Sequence, residues 1–137
     1  MNKFNFTFDD NKHEADMPKF IWTDNSVTLI GRAIPEFAIQ AWAEFMVTLN
    51  NYFKDIPMKM LDRKKLTVDF KLDFYNSASS IFITEMFRVL QSNWGKCDIT
   101  VNWYYFEADE DTEADGEMYR DSNLYKKITV NLIQRTD

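Results

Sequence analysis

A single cysteine, Cys97, excludes an intramolecular disulfide and any CxxC redox or zinc pair, and it points to a reducing, cytoplasmic setting. A single histidine leaves imidazole chemistry one candidate, His13. That residue falls in a charged N-terminal stretch with no serine or cysteine nucleophile motif beside it, so it reads as a solvated surface side chain. Glycine and proline number three each, against 45% hydrophobic and 16% aromatic residues, which excludes a low-complexity or disordered chain. No apolar run approaches the roughly eighteen residues of a membrane span, and the first sixteen residues lack the continuous apolar stretch of a signal peptide. Positive charge is also short: the net charge of -6 is repelled by nucleic acid and by anionic membrane surfaces, so neither is expected as a partner.

What is present suits one packed domain. At 137 residues the chain can bury about two thirds of its unfolded surface. Residues 1–18 read as a mobile leader, and 19–137 as a single domain. Phe20 to Trp22 and Val27 to Ile30 flank the turn-forming Asp24, Asn25 and Ser26, a hairpin pattern. From Pro35 to about Lys54, Ala38, Trp42, Phe45, Met46, Leu49 and Phe53 recur at helical spacing. Pro57, Arg63, Lys64 and Lys65 read as an exposed connection. Leu66, Val68, Phe70, Leu72 and Phe74 then alternate with polar residues, the period of a strand.

Helical spacing returns from Ser77 to Ser92, with Gly95 suited to a left-handed stop. Ile99 to Tyr105 alternate as a strand, a short helix follows the acidic stretch, and Ile128, Val130 and Leu132 predict a final strand. Clean alternation is the mark of a sheet covered on one face only. The expected fold is therefore α/β, a mixed sheet of about five strands with helices mainly on one face.

Tests for specific chemistry fail one after another. Counting from Asp109, the sixth and twelfth loop positions are Ala114 and Arg120, so the acidic run does not have calcium-loop spacing. It reads as a solvated helix entrance, and no metal is expected. Gly31 has no second glycine near enough for a nucleotide-cradling loop, so no cofactor is expected. Cys97 stands beside Lys96, which acts to lower a thiol pKa, but without a histidine it is given no role. Trp42, Phe45, Tyr52, Phe53, Phe87 and Trp103 sit at core-facing periods and read as packing. No catalytic residue emerges, and the chain is expected not to be an enzyme.

One segment remains, Phe74-Tyr75-Asn76-Ser77-Ala78-Ser79-Ser80, between the most regular strand and the second helix. Serine and asparagine there can cap the helix, and one cap suffices. The surplus hydroxyls suit phosphorylation, because free N–H groups and the positive helix end accept a phosphate.

This segment, together with Gly31-Arg32-Ala33-Ile34-Pro35-Glu36, Asp69-Phe70-Lys71-Leu72 and Val101-Asn102-Trp103-Tyr104-Tyr105, resembles the SiaC family of bacterial regulatory phosphoproteins across most of the chain. The resemblance implies a STAS-like fold of the anti-sigma-factor-antagonist type. It also implies a switch: a kinase of the histidine-kinase-like ATPase type phosphorylates the hydroxyl after Asn76, here Ser77, and a PP2C-type phosphatase removes the phosphate. By the same resemblance the unphosphorylated form engages a diguanylate cyclase or another output protein, promoting cyclic di-GMP synthesis and biofilm formation. Ser77 replaces the threonine of the best-known member and Ala78 stands where a second hydroxyl is common, which leaves Ser79 and Ser80 as alternative acceptors. Asn76, Ser77, Ser79 and Ser80 are the expected partner-binding residues. The competing expectation is a constitutive scaffold or small-ligand-binding domain whose serines only cap the helix.

Overall fold

Period-two alternation sets the plane of the sheet. In the computed structural model, which describes residues 5–6, 18–33, 35–56, 63–75 and 77–136, the longest strand is β4, Lys64–Tyr75. Its Leu66, Val68, Phe70 and Leu72 are buried, while Thr67, Asp69 and Lys71 lie on the opposite, half-open face. The strand starts at Lys64, so Lys64 and Lys65 belong to it rather than to the expected connection. Pairing with Cys97 and Asp98 of the next strand extends the ladder past the hydrophobic pattern that marks it in sequence.

β2 (Pro18–Trp22) and β3 (Ser26–Ala33) form the expected antiparallel hairpin, and β3, β4, β5 (Cys97–Phe106) and β6 (Thr129–Arg135) follow as parallel neighbours. The five-strand mixed sheet expected from sequence is thus present. Asn5–Phe6, in the segment read as a leader, adds a two-residue strand β1 antiparallel to β2. His13 and Pro57 lie outside the described residues.

Three helices return the chain between parallel strands: α1 (Pro35–Lys54), α2 (Ser77–Ser92) and α3 (Glu110–Asp121), the last followed by one 3-10 turn at Asn123–Tyr125. All three contribute to one core with the inward face of the sheet, through Trp42 and Phe45, Phe87 and Leu90, and Tyr119. The six aromatic residues read as packing are all buried. Phe70 stacks on Trp103 with centroids 4.4 Å apart, Phe87 stacks on Tyr119 at 4.0 Å, and Phe20 stacks on Phe45 at 4.4 Å. Such stacking adds about 0.5–1.5 kcal/mol per pair beyond the area removed from water.

The other face of the sheet carries a polar ladder at matched register, in which Asn131 Nδ2 donates to Asn102 Oδ1 (3.1 Å) and Asn102 Nδ2 donates to Asp69 Oδ1 (2.9 Å). None of the helices among the described residues is long and apolar enough to cross a membrane.

One glycine adds to the sequence reading and another corrects it. Gly31, set aside for lack of a second glycine, is the only described residue in the left-handed region, with φ 103°, and it sits at a bulge where the β3–β4 register shifts. Gly95 does not take up the left-handed conformation expected of it. The end of α2 is closed instead by side chains: Ser92 Oγ donates to Arg88 O and Asn93 Nδ2 donates to Val89 O, each at 2.8 Å. Successive turns carry the chain from there to Cys97, whose N–H donates to Asn93 O.

Candidate functional site

The carboxyl ends of parallel strands in an open α/β sheet are where ligands and partners usually meet the fold. Here β4 ends at Tyr75 and α2 begins at Ser77. Asn76 and the side chains of Ser77 and Ala78 lie outside the described residues. The first turn of α2 contains no acidic side chain, so nothing within the helix offsets its positive end.

The three candidate serines are not equivalent. Ser79 is buried, at 1% exposure, and its hydroxyl donates to Ala33 O (3.3 Å), tying the first turn of α2 to the end of β3. Ser80 is half-buried and lines a cleft of about 310 Å3 with Phe74, Tyr75, Asp109, Asp111, Thr112 and Asp115. Ser77 opens the helix.

That cleft joins segments some forty residues apart. The Tyr75 hydroxyl donates to Asp115 Oδ2 at 2.5 Å, and its ring stands edge-on to both Phe70 and Trp103. Burial, and then the hydrogen bond to Asp115, push the Tyr75 phenol well above its usual range, so it stays a neutral donor. Asp109 caps α3, its carboxylate accepting from Thr112 N (3.1 Å) and from Thr112 Oγ1 (2.7 Å). Glu110, Asp111 and Glu113 fill the first turn of that helix, where carboxylates complement the dipole. The acidic run is therefore a helix entrance, as its sequence suggests, although it lies within a twelve-residue helix rather than ahead of a short one. Among the described residues no group of three or more His, Cys, Asp and Glu side chains is placed to hold a metal.

α3 can approach the cleft only because Gly116 is bare. A Cβ there would lie 2.4 Å from Trp103 Cδ1, and Trp103 Nε1 in turn donates to Thr112 O (2.8 Å). At the strand ends Arg135 Nη1 donates to Asp73 Oδ1 (2.8 Å), neutralising the carboxylate nearest the turn, while the Arg32 guanidinium lies over the exposed Phe74 ring at 5.5 Å. Cys97, far from this end, is buried; burial pushes its thiol up against the lowering effect of Lys64, Arg63 and Lys96. The lysine neighbour noted in sequence is thus outweighed by desolvation.

Sequence reasoning found the turn but missed its acidic neighbour. Asp109, Asp111 and Asp115 face Ser80 only through a tertiary approach, and no spacing in the chain encodes it. Gly116 is the one local trace, a glycine inside a helix where its conformational freedom is unused.

The arrangement defines an α/β domain with its helices on one face of the sheet and a hydroxyl-bearing strand–helix turn beside a carboxylate-lined cleft. Residues 12–135 match the SiaC family of regulatory phosphoproteins, and the chain belongs to that family. The crystal structure of apo-SiaC from Pseudomonas aeruginosa matches with a TM-score of 0.69 at 15% identity, covering 96% of this chain and 98% of that one. A second SiaC structure from the same organism gives 0.73 at 13% identity, over 98% and 100%. SiaC in the crystal structure of the diguanylate cyclase SiaD in complex with its activator SiaC, also from Pseudomonas aeruginosa, gives 0.70 at 15% identity, over 88% and 94%. At these identities the likeness is one of fold. No curated protein matches the sequence.

Proposed function

We propose that this chain is a non-enzymatic cytoplasmic phospho-switch whose Ser77 is phosphorylated by a kinase of the histidine-kinase-like ATPase type and dephosphorylated by a PP2C-type phosphatase. In this reading Asn76, Ser77 and Ser80 form the regulated binding surface, and Ser79, expected among the partner-binding residues, is instead buried beneath it. The unphosphorylated form binds and activates a diguanylate cyclase, in the manner that the complex of SiaC with SiaD suggests for the Pseudomonas aeruginosa relative. Cyclic di-GMP output and biofilm formation follow from that partner.

The carrying observation is the inequality of the three serines. Phosphorylating Ser79 would require breaking its contact with Ala33 O and withdrawing a buried side chain. A phosphate on Ser80 would enter a cleft lined by Asp109, Asp111 and Asp115, where like charges repel. Ser77 stands at the start of a helix with no acidic first turn, where backbone N–H groups and the dipole favour a dianion. The test is to incubate wild type, Ser77→Ala and Ser80→Ala with the partner kinase and ATP and to follow intact mass. The wild type and Ser80→Ala should gain one phosphate and Ser77→Ala none. Uptake by Ser77→Ala at the wild-type rate would move the site.

A further inference from the structure

Because β4, β5 and β6 are parallel, the segments that enter them share one end of the sheet, opposite the phosphorylation turn. That end gathers Lys54 at the close of α1, Arg63, Lys64 and Lys65 at the entry of β4, Lys96 before β5, and Lys126 and Lys127 before β6. Seven of the sixteen basic residues of a chain with net charge -6 are therefore concentrated at one pole. The described carboxylates nearest it are Asp24, Asp55 and Asp98.

The ion pairs among the described residues lie elsewhere, at Glu85–Arg88, at Arg120 with Glu117 and Asp121, and at Asp73–Arg135. Arg63 and Lys96 are engaged by backbone: Arg63 donates to Trp94 O and Cys97 O, and Lys96 Nζ donates to Phe53 O (2.9 Å). Helix-end complementation accounts for Lys96, and the turn between α2 and β5 accounts for Arg63. That leaves Lys54, Lys64, Lys65, Lys126 and Lys127, all exposed and, among the described residues, in none of these ion pairs.

The centre of this pole is Trp94, 37% exposed, with the Arg63 guanidinium 5.8 Å and the Lys127 ammonium 4.8 Å from its ring. A partly exposed tryptophan with two cations over its ring, at a pole that carries further exposed lysines, is the composition of an interface anchor with a charged rim.

We propose that the Trp94-centred basic pole is a second docking surface, which takes a short acidic segment of a partner protein carrying an apolar or aromatic residue against Trp94. Carboxylates of such a segment pair with Lys64, Lys65, Lys126 and Lys127. A long polyanion fits less well, because the acidic remainder of the molecule repels whatever extends past the pole. The surface is separate from the switch: β4 alone spans twelve residues, about 36–40 Å at strand rise, between the two ends.

The test uses the full chain and a labelled synthetic peptide of alternating glutamate and phenylalanine, with binding followed by anisotropy and tryptophan fluorescence. Saturable binding is expected, weakening about tenfold between roughly 50 and 200 mM NaCl. Lys64→Glu, Lys127→Glu and Trp94→Ala should each lower affinity about fivefold or more at unchanged melting temperature. Ser77→Asp should leave it unaltered, which keeps this outcome distinct from the fate of the phospho-switch. Absence of saturable binding, or affinity indifferent to the charge reversals, would overturn the proposal. So would tighter binding of a double-stranded oligonucleotide or of anionic vesicles, or self-association in sedimentation that the same reversals abolish, since each assigns the pole to another occupant.

Discussion

Replacing Tyr75 by phenylalanine removes one oxygen from the structure and leaves a ring free to keep its place against Phe70 and Trp103. What is lost is the hydrogen bond to Asp115 Oδ2. A hydrogen bond to a charged acceptor contributes about 1.5–3 kcal/mol net, and here the lower end applies because Asp115 lines an open cleft where water can take over part of its solvation. The expected destabilisation is about 1.5 kcal/mol in urea unfolding. In a domain of this length that lowers the melting temperature by about 4–8 °C.

A double-mutant cycle with Asp115→Ala should show coupling of about 1 kcal/mol or more. The bond also carries a pH signature. The Tyr75 phenol is raised in the fold by burial first and by Asp115 second, so its contribution is fully present below the ordinary tyrosine pKa of about 10 and is lost as pH climbs beyond it. Tyr75→Phe should therefore flatten the decline in stability above about pH 10. A loss under about 0.5 kcal/mol, or additive single mutants, would show that the Tyr75–Asp115 contact does not hold α3 to the turn.

Gly116→Ala sets helix propensity, which favours alanine by about 1 kcal/mol, against a Cβ placed 2.4 Å from Trp103 Cδ1. Overpacking should win, with a net loss of about 1–2 kcal/mol and a change in near-ultraviolet circular dichroism; a stabilised variant would contradict the packing of α3 on Trp103. Phe70→Ala empties the space stacked on Trp103 and should destabilise by about 3–5 kcal/mol in denaturant titration, whereas a loss below about 1 kcal/mol would mean that the core centre lies elsewhere. Burial pushes the Tyr52 phenol up to about 12, so Tyr52→Phe should remove stability loss that the wild type shows between the unfolded value of about 10 and about 12; an unchanged alkaline limb would refute that assignment.

Legibility in the sequence followed how local each signal was. The strand at β4 could be read because one face of the sheet is open, so that Thr67, Asp69 and Lys71 alternate with buried neighbours instead of merging into an apolar run. The helices α1 and α2 emerged between Pro35 and Lys54 and between Ser77 and Ser92 because their core faces repeat every three to four residues. The Gly95 reading failed because phi is set by what surrounds the residue: side-chain bonds from Ser92 and Asn93 make the left-handed conformation unnecessary there, while a bulge between β3 and β4 holds Gly31 in it with no signal in the sequence. The cleft was half visible. Its Phe74, Tyr75 and Ser80 belong to one contiguous motif, but its carboxylate wall is brought in by α3, with Gly116 and the Tyr75 hydroxyl as the means of approach.

The proposed switch is most directly tested by preparing the protein unphosphorylated and singly phosphorylated at Ser77, then titrating each into the proposed cyclase partner while recording its melting temperature. Near-identical melting temperatures are expected, with binding weakened about tenfold or more by a dianion facing a surface fitted to a neutral hydroxyl. Equal affinities of the two forms would contradict the switch, as would a phosphorylated form that loses binding only because it has unfolded.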